Sequence, residues 1–183
     1  MQNHGQNERI DMMGCQIDNL TMDETLHRVE GFIASGLPHQ HVVVNVDKLV
    51  KASQDPQLRG IINSCDLINV DGKPVVWAAR LLGKPLKERV AGIDLFEALM
   101  ARAAARGWRV FLLGAADEIV ASVKTVYEQK YRGLIVAGYH HGYWSAEQEA
   151  GVVAQIAAAR PDVLFVAISS PKNTSEPGLT LSL

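Results

Sequence analysis

Short apolar runs alternate with longer helical patterns along most of this chain, and that alternation limits the folds it can adopt. The runs are rich in β-branched residues, as strands buried on both faces of a parallel sheet are. They occupy residues 41–46, 67–70, 108–113, 134–138 and 162–168. Strands separated by helices of about 10 to 15 residues are typical of βαβ units. We therefore expect a single α/β domain with a parallel sheet and helices on both faces.

Local signals mark where helices begin and how the chain divides. Thr21 with Glu24, and Ser145 with Gln148, have the spacing of a capping box, so each pair predicts a helix start. Residues 10–17 form a weak strand candidate. The expected divisions are a disordered lead at 1–8, the folded domain at 9–172 and an irregular tail at 173–183.

Composition and charge argue against several classes of protein. The 183 residues carry a formal net charge of −2, which is not the basic footprint of a nucleic-acid-binding protein. Cys15 and Cys65 form no Cys-x-x-Cys pair and suit a reducing compartment. The first residues lack the apolar core of a signal peptide, and no apolar run reaches the roughly 18 residues of a membrane span. A cytoplasmic protein is expected.

The end of the strand at 67–70 carries the strongest candidate for chemistry. Asp71-Gly72 favours a turn, so Asp71 should lie at the carboxyl edge of the sheet, where α/β proteins bind ligands. Arg89, Gly92 and Asp94 follow in a loop before the next helix. A carboxylate and a guanidinium there can act as a general base and an anion clamp. The alternative is that Asp71 only forms the turn and Arg89 is a solvated surface charge.

Other strand ends carry weaker candidates for binding groups. Gly114 and the small residues after it could bring helix N–H groups close to a phosphate, or could simply allow tight packing. Tyr143 and Trp144 could stack on a base, or could pack their own loop. Asn45 and Lys172 follow two further strands. A nucleotide-type site is therefore one interpretation of this edge.

Several common sites have no signature in the chain. There is no His-Glu-x-x-His, no Cys/His cluster and no Asp-x-Asp, so His39/His41 and His140/His141 are interpreted as surface or turn residues and no metal is expected. There is also no Gly-x-Ser-x-Gly elbow. Neither the dinucleotide glycine fingerprint nor a P-loop is present, which counts against NAD as a cofactor.

Taken together, several segments resemble the WecG/TagA/CpsF glycosyltransferase family over roughly residues 10–172. The segments are Val-Val-Asn45, Asn-Val-Asp71-Gly72, Glu88-Arg89-Val-Ala-Gly92-Ile-Asp94-Leu, Val-Phe-Leu-Leu-Gly114, Gly142-Tyr143-Trp144 and Ser-Pro171-Lys172. The resemblance implies a Rossmann-like fold and an inverting, metal-independent transferase without a cofactor. Such enzymes move a sugar, N-acetylmannosamine or glucose, from a UDP donor to an undecaprenyl-diphosphate-linked acceptor in cell-surface polysaccharide biosynthesis. It further implies a cytoplasmic protein peripheral to the inner membrane face, and self-association into a homo-oligomer.

The resemblance also implies roles for particular residues. Asp71 matches the general base. Asn45, Arg89, Gly92 and Asp94 match positions that bind substrate, with Arg89 at the diphosphate. The positions expected at the nucleotide are Gly114, Tyr143, Lys172 and Asn173.

Two departures from the family pattern affect the expected activity. Val43 stands where many members have Thr, which removes a hydroxyl and points to a different sugar. Asn173 stands where members have Gln or Lys, and the tail after it resembles a truncation or an altered reading frame, so we expect weak or absent activity. The alternatives are a catalytically incomplete nucleotide-binding module and an unrelated enzyme that uses NAD or S-adenosylmethionine.

Overall fold

The computed structural model describes residues 9–168, and in it the chain divides into two compact units. Unit 1 ends at Leu95 and unit 2 begins at Phe96. Each unit contains parallel strands with helices around them. The ends of the chain, including Lys172 and Asn173, lie outside the described residues.

Unit 1 combines a parallel pair of strands with a small antiparallel hairpin. Its elements are β1 (Arg9–Met12), β2 (Cys15–Asp18), α1 (Met22–Ser35), β3 (His41–Val44), α2 (Val46–Gln54), α3 (Pro56–Asn63), β4 (Leu67–Val70) and α4 (Lys73–Leu81). Strands β3 and β4 pair in parallel, from His41 opposite Leu67 to Val44 opposite Val70. Both strands contribute buried apolar side chains to one core, which also includes Val75 and Ala79 of α4. The carboxyl ends of β3 and β4 therefore meet at one edge.

The hairpin of unit 1 corrects the prediction of one strand at residues 10–17. The segment folds back on itself, so that β1 and β2 pair antiparallel. The turn between them places Met13 at φ 56° and Gly14 at φ 87°. Two successive residues at positive φ fit the twist of a tight hairpin, and glycine adopts such angles without a steric penalty. A Met-Gly pair is a weak turn signal, so the sequence did not reveal the reversal.

The capping box at the start of α1 is confirmed. The Thr21 side chain accepts a hydrogen bond from the Glu24 amide, and the Glu24 carboxylate accepts one from the Thr21 amide at 2.8 Å. The second predicted box, at Ser145 and Gln148, is also present at the start of α7 (Ala146–Ala159). Each box satisfies backbone donors that a helix cannot satisfy internally.

Unit 2 contains a sheet of three parallel strands. Its other elements are β5 (Arg109–Gly114), α6 (Asp117–Lys130), β6 (Ile135–His140) and β7 (Val163–Ala167), and α5 (Gly92–Arg106) begins just before the unit boundary. The strand order is β6-β5-β7, and both pairings are parallel. Strand β6 ends two residues later than predicted, so Tyr139 and His140 belong to the strand.

These elements confirm the predicted α/β fold class, with parallel strands surrounded by helices. The predicted bounds of β4 and β5 agree with the structure to within one residue. Among residues 9–168, no helix is both long enough and apolar enough to cross a membrane.

Candidate functional site

Backbone geometry at the end of β4 presents Asp71 at the strand edge of unit 1. The Asp71 amide donates a hydrogen bond to the Val44 carbonyl at 2.9 Å, which continues the β3–β4 pairing by one residue. Gly72 then takes φ 106°, an angle that glycine tolerates, and the chain turns into α4. The Asp71 side chain keeps 37% of its surface exposed. A substrate can therefore reach its carboxylate.

A second backbone contact brings Arg89 to the same place. The Val90 amide donates to the Val70 carbonyl at 3.1 Å, so the segment that carries Arg89 lies beside the end of β4. Arg89 Nη1 is 3.5 Å from Asp71 Oδ1, and Arg89 Nη2 is 3.4 Å from Asp94 Oδ2. These are long ion pairs, and the guanidinium stays 40% exposed. The cation can therefore also contact a bound anion.

Asn45 occupies the equivalent position after β3. Val44, the last residue of β3, pairs with Val70, the last residue of β4. Asn45 and Asp71 therefore occupy matching positions directly after the two strands. The Asn45 side-chain oxygen accepts a hydrogen bond from the Lys48 amide at 2.9 Å and so caps α2. Capping of α2 explains why an Asn is found at this position. The cap uses the side-chain oxygen of Asn45 and not its side-chain amide nitrogen. Binding of substrate by Asn45 stays a prediction.

Gly92 and Asp94 belong to a helix rather than to the loop that we predicted. Helix α5 begins at Gly92, and Asp94 is the acidic residue of its first turn. The carboxylate of Asp94 is favourably placed there, because a helix N-terminus attracts negative charge. Asp71, Arg89 and Asp94 together form what we call the strand-edge cluster. Sequence reasoning named all three, and the structure brings them into contact.

In unit 2, close packing explains the glycine at the end of β5. Gly114 has φ 137°, and a Cβ atom there would lie 2.2 Å from the Ala167 carbonyl oxygen of β7. The Ala115 amide donates to that same oxygen at 3.2 Å, and the Gly142 amide donates to the Ala115 carbonyl at 2.8 Å. The ends of all three strands thus meet backbone to backbone. A role for Gly114 in nucleotide binding stays a prediction.

The two aromatic residues after β6 have different environments. Trp144 packs against the cluster of Phe111, Leu113 and Val166, and its ring meets His140 edge to face. Tyr143 is 70% exposed, although its amide donates to His141 Nδ1 at 3.1 Å. The packing interpretation therefore fits Trp144, whereas Tyr143 is accessible to a ligand.

A buried polar network inside unit 1 corrects the prediction that His41 is a surface or turn residue, because His41 lies in β3 with its ring buried. Asn69, two residues before Asp71, uses its side-chain amide to donate to Thr25 Oγ1 at 3.1 Å, and its oxygen lies 2.8 Å from His41 Nε2. His41 is therefore the donor in that contact. Burial lowers the pKa of His41 to about 4, so the ring is neutral. The available signal was a polar residue inside each of two apolar strands.

A metal-ligand cluster and a cleft are two further features that could mark a binding site among the described residues. Over residues 9–168 there is no group of three or more His, Cys, Asp or Glu side chains that could hold a metal ion. Metal independence stays a prediction. A shallow cleft of about 490 Å³ in unit 1 is lined by residues that include Arg9, Asn19 and Lys84, and by none of the predicted site residues.

The fold and the strand-edge cluster define an α/β protein with a carboxylate and a guanidinium at the carboxyl edge of parallel strands. The family model described as "Glycosyl transferase WecG/TagA/CpsF family" matches residues 10–175. The chain belongs to this family, as the resemblance of its motifs implied.

Curated relatives support the same assignment. The chain is 38% identical over 130 residues to a Bacillus spizizenii protein named N-acetylglucosaminyldiphosphoundecaprenol N-acetyl-beta-D-mannosaminyltransferase, covering 71% of this chain and 50% of that protein. A Staphylococcus aureus protein of the same name is 32% identical over 166 residues, covering 90% of this chain and 65% of that protein. The chain thus spans about half to two thirds of the length of these relatives.

Proposed function

We propose that this chain is the α/β part of a glycosyltransferase that moves a sugar from a UDP donor to an undecaprenyl-diphosphate-linked acceptor. Family membership and the names of both relatives support a lipid-linked acceptor. The sugar is N-acetylmannosamine or glucose, and Val43 in place of Thr is the residue to examine for that choice. The proposed enzyme acts in cell-surface polysaccharide biosynthesis, in the cytoplasm at the inner face of the membrane.

In the proposed reaction, Asp71 is the general base. Its carboxylate accepts the proton of the acceptor hydroxyl as that oxygen attacks the anomeric carbon of the donor. The bond from the anomeric carbon to the UDP oxygen breaks, and UDP leaves with the electron pair. Attack and departure on opposite faces of the sugar ring give inversion. In the proposed reaction, no metal or cofactor takes part.

The observation that carries the proposal is the strand-edge cluster. A base must be open to its substrate, and Asp71 is partly exposed at a turn. A cation must offset the negative charge of a diphosphate, and Arg89 lies 3.5 Å from that carboxylate with its guanidinium also open to solvent. The N-terminus of α5, at Gly92, adds backbone N–H donors of the kind that bind anions. Asn45 would contact substrate through its side-chain amide nitrogen.

Residues of unit 2 and of the tail are proposed for the nucleotide. Tyr143 is exposed and can stack on a uracil ring. Gly114 would let backbone approach the nucleotide. Lys172 and Asn173, which lie outside the described residues, would contact the phosphates and the nucleoside. Self-association into a homo-oligomer is also part of the proposal, and nucleic acid is not a partner.

The test is turnover of UDP-N-acetylmannosamine with a lipid-linked N-acetylglucosamine analogue, compared between the wild-type chain and Asp71→Asn. Asparagine keeps the size and an oxygen near Arg89 but cannot accept the proton. We expect the rate to fall roughly 10²- to 10⁴-fold, the usual contribution of a general base. Release of UDP measures the rate.

The matched control is Asp23→Asn, the same change at an exposed carboxylate in the first turn of α1. It should leave the rate unchanged. An active chain that is equally active as Asp71→Asn would contradict the assignment of the base. Binding of UDP by calorimetry without any transfer would support the alternative of a catalytically incomplete nucleotide-binding module.

A further inference from the structure

Helix α4 carries an apolar surface that the described residues leave uncovered. Trp77 is 69% exposed and Leu81 is 89% exposed, and Leu82, which follows the helix, is 65% exposed. These are large apolar side chains that lie within six positions of one another. Single exposed apolar residues are ordinary, but Trp77 and Leu81 lie one helical turn apart on the same side of α4, and neighbouring exposed apolar residues of this size are typical of an interaction site.

The same face of α4 is basic. At about 100° per residue, Lys73, Trp77, Arg80 and Leu81 fall within roughly 100° of arc around the helix. The buried residues Val75 and Ala79 fall on the opposite side. The helix therefore packs one side on the core of unit 1 and presents cations and large apolar groups together on the other. We call this exposed side the α4 face.

The positive charge of this face continues past the end of the helix, in a stretch that contains no acidic residue. Residues 72–87 include Lys73, Arg80, Lys84 and Lys87 and contain neither Asp nor Glu, in a chain whose formal net charge is −2. Lys87 is bound to Glu24 at 2.8 Å, and Lys84 donates to the Asp11 carbonyl at 3.1 Å. Lys73 and Arg80 have no ion pair within residues 9–168. Their charge is available to a partner.

We infer that the α4 face binds the surface of a membrane that contains anionic phospholipids. Tryptophan and leucine suit the boundary between headgroups and acyl chains, and lysine and arginine suit anionic headgroups. A nine-residue helix is roughly 13 Å long, which allows it to lie along a surface but not to cross a bilayer. A two-fold interface that packed this face against its own copy would place these cations against one another, which like-charge repulsion opposes.

The position of the α4 face relative to Asp71 deepens the proposed function, on which this step rests. Helix α4 begins two residues after Asp71. A helix docked on the membrane through Trp77 and Leu81 would hold the strand-edge cluster of unit 1 within about one helix length of the headgroups. An acceptor sugar joined to a membrane lipid through a diphosphate would be presented at that level.

The experiment is co-sedimentation of the full chain with vesicles of phosphatidylcholine, alone or mixed with phosphatidylglycerol. We expect binding to the mixed vesicles that weakens as salt is raised, and much less binding to phosphatidylcholine alone. The double variant Trp77→Ser/Leu81→Ser should bind at least tenfold more weakly. Lys73→Gln/Arg80→Gln should lose roughly tenfold on mixed vesicles only.

The matched control is Val126→Ser/Val153→Ser, which changes two exposed apolar residues on α6 and α7 and should bind as the wild type does. A blue shift of tryptophan emission on adding mixed vesicles should be lost in Trp77→Phe. No binding of the wild-type chain, or equal loss in the control, would overturn the inference. A wild-type dimer that Trp77→Ser/Leu81→Ser makes monomeric, without vesicle binding, would assign the face to self-association instead. The assay contains no sugar nucleotide, so its outcome does not depend on the proposed transfer.

Discussion

The strand edges of the two units differ in what occupies them. In unit 1, Asn45 follows β3, whereas the exposed carboxylates and guanidinium of the strand-edge cluster follow β4 and make long contacts with one another. In unit 2, the ends of β5, β6 and β7 meet through backbone atoms, with Gly114 against Ala167 and Gly142 against Ala115. The strand edge of unit 1 therefore presents exposed charged side chains, whereas the strand edge of unit 2 is a closely packed backbone turn. Substitutions in the strand-edge cluster of unit 1 should therefore change activity, whereas a side chain added at Gly114 in unit 2 should change folding.

Gly114→Ala should give the largest loss of stability. The new Cβ would lie 2.2 Å from the Ala167 oxygen and 2.6 Å from its carbonyl carbon, both backbone atoms that cannot move aside cheaply. The φ of 137° adds strain for any residue with a side chain. We expect a loss of about 4 kcal/mol or more in the free energy of unfolding, measured by urea denaturation.

The matched control for this change is Gly151→Ala in α7. No atom lies within 4 Å of a Cβ there, and its φ is not in the left-handed region. Alanine favours a helix over glycine, so the control should gain about 0.5 to 1 kcal/mol. Equal stability of the two variants would show that the close contact of β5 with β7 does not exist in solution.

Acid should weaken unit 1 through His41. Its folded pKa of about 4 lies below the value of about 6.5 expected for the unfolded chain. The unfolded state therefore binds the proton more readily, and stability present above pH 6.5 is lost as the pH falls towards 4. We expect a loss of about 2 to 3 kcal/mol over that range.

Comparing the slope of unfolding free energy against pH between wild type and His41→Gln isolates this contribution. The variant should show a shallower slope between about pH 6.5 and pH 4, whatever its absolute stability. Hydrogen exchange at β3 and β4 amides should report the wild-type loss. Parallel slopes in the two proteins would mean that His41 does not stay neutral in the fold.

Arg89→Ala should lower activity and leave folding nearly unchanged. The guanidinium is 40% exposed and its ion pairs are long, so its contribution to stability should be within about 0.5 kcal/mol. If Arg89 offsets the charge of the donor diphosphate as we propose, its loss should reduce kcat/KM roughly 10- to 100-fold. Arg132→Ala, which removes an exposed arginine of unit 2, is the matched control and should leave kcat/KM unchanged. A variant that loses stability but keeps its rate would make the cluster structural.

Thr21→Ala should have the smallest effect. It removes the side-chain acceptor of the Glu24 amide and should cost about 1 kcal/mol. Ser145→Ala tests the equivalent capping box of unit 2 and should cost a similar amount. Thermal unfolding of both variants measures the difference. A cost for Thr21→Ala well above that for Ser145→Ala would mean that the Lys87–Glu24 contact at 2.8 Å depends on this cap.

The accuracy of the sequence predictions depended on how local each feature is. Capping boxes, buried strands and the Asp71-Gly72 turn are determined by residues within a few positions, and the structure has them as predicted. The hairpin at residues 9–18 was missed because its turn residues, Met13 and Gly14, resemble no common turn pair. The hydrogen-bond network of His41, Asn69 and Thr25 was missed because its residues lie on three elements that are distant in sequence.

Spacing and residue type alone determined the α/β class and the order of the elements after the hairpin, because hydrophobic periodicity and caps act over short distances. The short motifs of the chain were enough to indicate its family. Only the tertiary structure decided which groups touch. Arg89 reaches Asp71 because Val90 pairs with Val70, and Gly114 must lack a side chain because Ala167 of a later strand lies against it. Such contacts depend on register and backbone approach between distant segments, which no local pattern encodes.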